Sequence, residues 1–381
     1  MKRRFDAVSK YIRESDMYLL ILCVISSIYG IILIYSATRS QDTNTNVYIQ
    51  IVSLVLGIGL YVLFSLLDVD TIADRAKILY VLSILFIATL FIWGTEINGN
   101  RAWLRFGSFG VQPAEIVKIP YTIILAKMIA NFKDKKTLSA PLSLVQIVAV
   151  FGGLFIFIIL SSSDLGSALV YLFILIMMLF VGGIDLKWLL LGLLVLAGVI
   201  LLAWHTSILT DTQKDRILAP YNPNIDPKHI NVTWQATQSQ YAIASGNFLG
   251  KGLLKGPMTQ AGSVPQQYTD FIFSVAGEEL GFVGCFLIVV LLLLLIIRTV
   301  VVGIKSNNTT GLLVCTGMAA MLIAQTFENI GMCLGLTPVI GLTLPFFSYG
   351  GSSLITMFAA MGIVSGIKMR PKPARFRSYS R

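Results

Sequence analysis

The chain has 381 residues, 56% of them hydrophobic and 13% charged, with a mean hydropathy of +0.80 and a formal net charge of +10. A soluble domain carries about 25% charged residues, so this composition excludes an ordinary soluble enzyme and describes an integral membrane protein. The positive charge does not imply a nucleic-acid partner, because Lys and Arg stand at the ends of apolar runs instead of in one aromatic-laced patch; anionic membrane lipids and topology account for them.

A helix needs about 20 apolar residues to cross roughly 30 Å of hydrocarbon. Runs of that kind recur at residues 17–35, 47–67, 78–94, 112–130, 142–160, 166–183, 186–205, 270–297, 310–335 and 346–367. Segments this long and uniformly apolar are helices, since each must satisfy its own backbone in lipid. The expected fold is an all-α polytopic membrane protein of about ten transmembrane helices. It forms one domain over residues 1–381, with a long loop of residues 206–268 between the seventh and eighth spans. Lys2, Arg3, Arg4, Lys10 and Arg13 precede the first run and the basic tail KMRPKPARFRSYSR follows the last. This bias puts both termini in the cytoplasm and the long loop outside. The first run lacks a small-residue cleavage site and is expected to be the first span. Cys23, Cys285, Cys315 and Cys333 stand singly in apolar runs, without metal-ligand spacing, and are expected as small buried hydrophobes.

Polar groups on the outer side fall in a few places. In NRAWLRFGSFGVQPAEIVKIP, Pro113 suits a first helical turn, and Glu115 and Lys118 lie on one helix face within reach of each other. That pair either locks two spans or lines a cavity for a charged ligand. Asp164, in SSSDLGSALV, precedes a span and is placed for a helix cap as well as for catalysis. In the long loop, TWQATQSQYAIASGNFLGKGLLKG brings Trp234, Gln238, Ser239 and Tyr241 together before a glycine-rich stretch. This predicts a helix lying in or dipping into the interface, then tight turns. TDFIFSVAGEELGFVG opens an apolar run with Asp270, Glu278 and Glu279. On one continuous helix Gly277 and Gly281 fall near Asp270, whereas Glu278 and Glu279 point elsewhere, so the three acids are not one site. Last, Glu328 and Asn329 sit deep in a span before a Gly-, Pro- and Ser-rich stretch at membrane depth, tolerable only inside protein or around a wet cavity. The sum is a polar, partly hydrated chamber opening outward.

The strings NRAWLRFGSFGVQPAEIVKI, SDLGSALVYL, QSQYAIASGNFLGKGLLKG, YTDFIFSVAGEELGFVG and NIGMCLGLTPVIGLTLPFFSYGGSSL together resemble the SEDS family (shape, elongation, division and sporulation) in motif order and loop length from the first span to the last. GKG and TDFIFSVAGEELGFVG are more similar to its RodA type than to its FtsW type. The resemblance implies a peptidoglycan glycosyltransferase of the bacterial cytoplasmic membrane that polymerises lipid II into glycan strands on the outer face, in cell-wall elongation, with a division- or sporulation-type member of the family as the alternative role. It implies Asp270 as general base on the acceptor GlcNAc 4-hydroxyl, with undecaprenyl pyrophosphate leaving. Arg101, Lys118 and Arg216 are the candidate cations for that diphosphate. Trp103, Glu115, Asp164, Gln238, Ser239, Thr269, Glu278, Glu279, Asn329, Ser348 and Ser352 are expected to bind substrate or shape the cavity. No sequence pattern demands a metal, although Mg2+ or Mn2+ could accompany the diphosphate, and the expected partner is a class B penicillin-binding protein. The family commonly shows QPDLG where this chain has Ser162, Ser163, Asp164, Leu165 and Gly166, so the turn's acid is kept and its Gln and Pro are lost.

Two other classes of function fit the same outward chamber. A lipid II flippase needs the cavity without a base at its rim, and a scaffold for the division or elongation machinery needs no cavity residue for turnover.

Overall fold

The computed structural model describes residues 9–39, 44–97, 100–107, 109–162, 164–206, 210–222, 224–229 and 231–370. Lys2, Arg3, Arg4, Ser163 and the basic tail beyond Arg370 lie outside the described residues. Ten long helices occupy the ten expected spans: α1 (Met17–Thr38), α2 (Thr45–Leu66), α4 (Ala76–Trp93), α5 (Pro113–Asp134), α6 (Pro141–Ser162), α7 (Leu165–Gly182), α8 (Leu186–His205), α12 (Ile272–Ile304), α13 (Thr309–Cys333) and α14 (Gly351–Met369). The short helices are α3 (Val69–Ala73), α9 (Asp211–Leu218), α10 (Trp234–Gly246) and α11 (Pro257–Gln260). Nine of the long helices are apolar enough to cross a membrane on their own account. The exception, α5, carries Glu115, Lys118, Lys127, Lys133 and Asp134, and it is tolerated because it is sheathed by α4, α7, α13 and α14.

The ends of these helices follow local chemistry. The Asp16 side chain accepts the Leu19 amide to start α1, Asn308 accepts the Gly311 amide to start α13, and Pro113 opens α5, where its missing N–H costs nothing. Gly183, at φ 88°, closes α7 in the left-handed conformation that a glycine adopts without strain. The most extensive seam joins α2 to α14, where a Cβ at Gly362 would stand 2.5 Å from the Tyr61 carbonyl oxygen and one at Gly366 2.7 Å from that of Ser65. Without a hydrophobic drive between helices in lipid, such close backbone approach supplies packing. At the other extreme α8 buries none of its residues and packs only beside α7.

Two features depart from the expected arrangement. Between α4 and α5 the chain forms a small antiparallel sheet, β1 (Thr95–Ile97), β2 (Asn100–Phe106) and β3 (Phe109–Val111), in the order β1-β2-β3. In NRAWLRF the buried Ala102 and Leu104 alternate with the exposed Arg101 and Arg105, which is the period-2 pattern of a half-buried strand. Second, α12 is not one continuous helix beginning at Asp270. It starts at Ile272 and breaks at Gly281, whose φ of 66° and ψ of −159° are open to glycine alone. The loop after α10 inserts there: the amides of Lys251 and Gly252 bond the carbonyls of Glu278 and Glu279 at 2.9 Å, and the amides of Phe282 and Val283 bond the carbonyls of Asn247 and Phe248 at 3.0 and 3.3 Å. The backbone groups freed by the break are therefore paired with the loop. Residues 282–304 alone reach about 35 Å at 1.5 Å per residue, enough to cross the hydrocarbon. Residues 270–281 are therefore not needed for the crossing, and Glu278 and Glu279, which the apolar run alone would leave in hydrocarbon, are buried in protein.

Candidate active site

Asp270 lies in the turn just before α12, held by backbone rather than by charge. Its amide donates to the Gln266 carbonyl at 3.1 Å. Its carbonyl accepts the Asn329 Nδ2 amide at 2.7 Å, and the same Asn329 group reaches the Leu342 carbonyl at 2.7 Å. Asn329 thereby ties the turn to the loop between α13 and α14. In that loop Gly341, at φ 73°, passes so close that a Cβ on it would meet Asp270 Oδ2 at 3.5 Å. The Tyr349 amide donates to the Tyr268 carbonyl at 2.9 Å, and the two rings meet edge-on with centroids 5.6 Å apart. The backbone is thus fixed from both sides, while the partly buried carboxylate forms no ion pair among the described residues. Burial raises its pKa from 3.8 to about 6; the Thr269 hydroxyl lowers it and the charge of Asp164 raises it further.

Asp164 is the cap the sequence anticipated, and it also lies close enough to Asp270 for its charge to act there. It starts α7 by accepting the Ser167 amide at 2.9 Å and its hydroxyl at 2.7 Å, and it takes the Gln112 side-chain amide at 2.8 Å. The Gln112 backbone amide reaches the Ser352 hydroxyl at 3.4 Å, which brings in the start of α14. Gly166 lets α7 approach the Ile340 carbonyl, so the Asp164 end of α7 meets the loop that also flanks Asp270. Ser348 accepts the Leu344 amide at 2.8 Å, and Gln50 bonds both the Ser348 carbonyl and the Gly350 amide, so these residues shape the loop.

Glu115 and Lys118 form an ion pair, both fully buried, and Gln325 on α13 donates to the second Glu115 oxygen at 3.4 Å. The pair locks α5 to α13. Lys118 is therefore engaged inside protein and does not stand open to a diphosphate. Glu278 and Glu279 are also fully buried, without a cation. Glu278 accepts the amides of Met258 and Thr259 at 2.8 and 2.7 Å and the Thr259 hydroxyl. Glu279 accepts the Ser36 hydroxyl, the amides of Leu254 and Gly256, and Gln260. These acids clasp residues 254–260 onto α12 and take no part in the Asp270 cluster, which the residue spacing implied.

The remaining expected residues scatter. Arg101 is exposed on β2 and its Nε donates to the Gly94 carbonyl at 2.9 Å; Trp103, on the same strand, packs over Gly110. Arg216 is exposed on α9 and no described contact joins it to Asp270. Ser239 is buried and donates to the Cys333 carbonyl at 2.9 Å, Gln238 is partly buried beside it on α10, and the Thr269 hydroxyl turns back to Gln266. Sequence reasoning missed Arg105. It is exposed on β2 and close enough for its charge to act on Tyr349, the ring that meets Tyr268 two residues before Asp270. The period-2 pattern of NRAWLRF, which places Arg101 and Arg105 on one face, was the signal available. Among the described residues no group of three or more His, Cys, Asp or Glu side chains forms a metal cage. All four cysteines are free and buried.

Comparison with known proteins agrees with this architecture. The profile of the FtsW/RodA/SpoVE family, described as cell cycle proteins, matches residues 16–372. The chain is 31% identical over 361 residues to the peptidoglycan glycosyltransferase MrdB of Escherichia coli (strain K12), covering 94% of each, and 32% identical over 362 residues to the stage V sporulation protein E of Bacillus subtilis (strain 168), covering 92% of this chain and 96% of that one. Among solved structures it resembles a chain of a peptidoglycan synthase complex, studied for its coordination of polymerization and crosslinking, with a TM-score of 0.78, 32% identity and coverage of 93% and 97%. It also resembles the rod shape determining protein RodA of Thermus thermophilus, with a TM-score of 0.68, 29% identity and coverage of 93% and 96%. The chain therefore belongs to the FtsW/RodA/SpoVE family.

Proposed function

We propose that this chain is a peptidoglycan glycosyltransferase that polymerises lipid II at the outer face of the bacterial cytoplasmic membrane, with Asp270 as its general base. The observation that carries the proposal is the Asp270 carboxylate itself, whose backbone is pinned by Asn329, whose side chain has no cation paired with it among the described residues, and whose pKa is raised to about 6 by burial. A base is most effective when its pKa lies near the working pH. Asp270 takes the proton of the acceptor GlcNAc 4-hydroxyl as that oxygen attacks the anomeric carbon of the donor; the bond from that carbon to the diphosphate breaks and undecaprenyl pyrophosphate leaves. Arg105 and Arg101, exposed on one face of β2, are the cations proposed for the leaving diphosphate, in place of the buried Lys118. Mg2+ or Mn2+, if used, would be carried by the diphosphate and not by a protein cage. In this reading both termini are cytoplasmic, the partner is a class B penicillin-binding protein, as the similarity to a chain of a peptidoglycan synthase complex supports, and the role is in elongation.

The test is glycan-strand formation from labelled lipid II by the purified protein with its transpeptidase partner. Asp270→Asn, shown to be folded by a melting temperature no lower than wild type's, should lose about 100-fold or more of the rate. Equal polymer from wild type and mutant would remove Asp270 as the base. No polymer from either, with lipid II movement across vesicle membranes, would favour a flippase.

A further inference from the structure

At the end of the bundle opposite Asp270, the last turns of α12 and α14 enclose a cavity of about 260 Å³. Its wall carries Arg298 and Lys305 from α12 and its C-cap, Lys368 and Arg370 from α14 and its C-cap, and no carboxylate. A second cavity of about 180 Å³ adjoins it, sharing Asn307, Ile367 and Arg370. The four cations have two acidic partners between them. Asp16 accepts Arg298 at 2.8 Å and stands 3.7 Å from Lys368, and Asp68 lies 3.1 Å from Arg370. Lys305 is exposed and has no acidic partner among the described residues. Asp70 lines only the adjoining cavity, where it accepts the Asn308 side-chain amide at 2.7 Å, so even with about half a negative charge at each helix C-terminus the 260 Å³ cavity keeps a positive excess, which draws an anion.

We propose that this cavity binds the phosphate of an anionic phospholipid in the adjoining membrane leaflet. A lipid is favoured over a soluble phosphate by what lies beside the cavity: Leu293, Ile297, Val300 and Ile304 form an exposed apolar stripe along α12 that ends one residue before Lys305. Acyl chains lie along that stripe while the headgroup reaches the cations. Since water takes about 30 Å³ per molecule, the cavity has room for a phosphate with part of its hydration. Cations that served topology alone would snorkel to the surface without selecting among headgroups.

The full-length protein, delipidated in mild detergent and titrated with an anionic and a zwitterionic phospholipid of identical chains, tests this by native mass spectrometry. Preference for the anionic lipid is expected, reduced about fivefold by Lys305→Gln, further by adding Lys368→Gln, kept by Lys305→Arg, and unchanged by Lys251→Gln at the opposite end. Lys368 donates to the Ser15 carbonyl at 3.0 Å, so its variant also loses a structural bond; the exposed Lys305 keeps the test decisive. Equal retention of both lipids, or an unchanged preference in Lys305→Gln, overturns the proposal. Competition by millimolar inorganic phosphate as effective as the lipid itself would overturn the lipid assignment.

Discussion

Asp270 and the Glu115–Lys118 pair show how similar carboxylates take different tasks from their surroundings. With Asp270 as the proposed base, its pKa of about 6 predicts that polymerisation should fall about tenfold per pH unit below that value and level off above it, read as kcat/KM against pH. The same shift acts on stability with the opposite sense. A carboxyl whose folded pKa lies above its unfolded value binds its proton more tightly in the native state, so stability is lost as pH rises from about 4 through about 6. Asp270→Asn should therefore melt higher than wild type at neutral pH, on the order of 2 °C, and show no gain near pH 4. Glu115 is different because its charge is matched. Lys118→Met would leave it buried with Gln325 as its remaining partner and should cost about 3–5 kcal/mol, whereas Glu115→Leu with Lys118→Met should recover much of that loss. Thermal unfolding of the three variants checks this; equal losses in single and double variants would show that the pair does not act as a lock.

Among the elements, the broken α12 matters most, because it lets one chain segment carry both the turn at Asp270 and a membrane crossing. The break is stable because the loop of residues 247–252 pairs the freed groups, and Gly281 permits it. Gly281→Ala would force a side chain into a glycine-only conformation against the Gly250 amide. The strain is about 1–3 kcal/mol before the clash is counted. The expected result is faster hydrogen exchange at the amides of Lys251, Gly252, Phe282 and Val283, with a loss of activity. Gly152→Ala on α6, where nothing lies within 4 Å, should change neither.

For the molecule as a whole, burial is distributed very unevenly. In α14 78% of the spanning window is buried, and in α8 none is. The α2–α14 seam is thus a stable centre on which the Asp164 end of the bundle is mounted, since Ser352, in the first turn of α14, accepts the Gln112 backbone amide. Gly362→Leu would wedge that seam apart, costing about 1–3 kcal/mol or more as overpacking and lowering the melting temperature. Gly198→Leu on α8, with nothing within 4 Å, should be neutral, and equal effects at the two positions would refute this division between centre and periphery.

Helix count and the fold class were legible in the sequence because each depends on length or hydropathy along one segment; Asp270 does stand apart from Glu278 and Glu279, but because it precedes Ile272 while both Glu clasp one loop, not because of angles on a continuous helix. The candidate cap at Asp164, the Glu115–Lys118 pair and the tight turns at Gly250 and Gly252 were legible for the same reason: their partners lie within a few residues or their conformation is local. The start of α12 at Ile272, its break at Gly281, the strand face that presents Arg105 and the burial of Lys118 were not. Each depends on a group far away in the chain. The loop at 247–252 makes a broken helix cheaper than a continuous one, the sheet needs pairing between strands, and Lys118 is enclosed only when α13 packs over α5. The sequence by itself determined which segments enter the membrane and which side chains are available for chemistry; tertiary structure decided which of them are left open to a substrate, because burial and backbone pairing between distant segments are properties of the assembled chain.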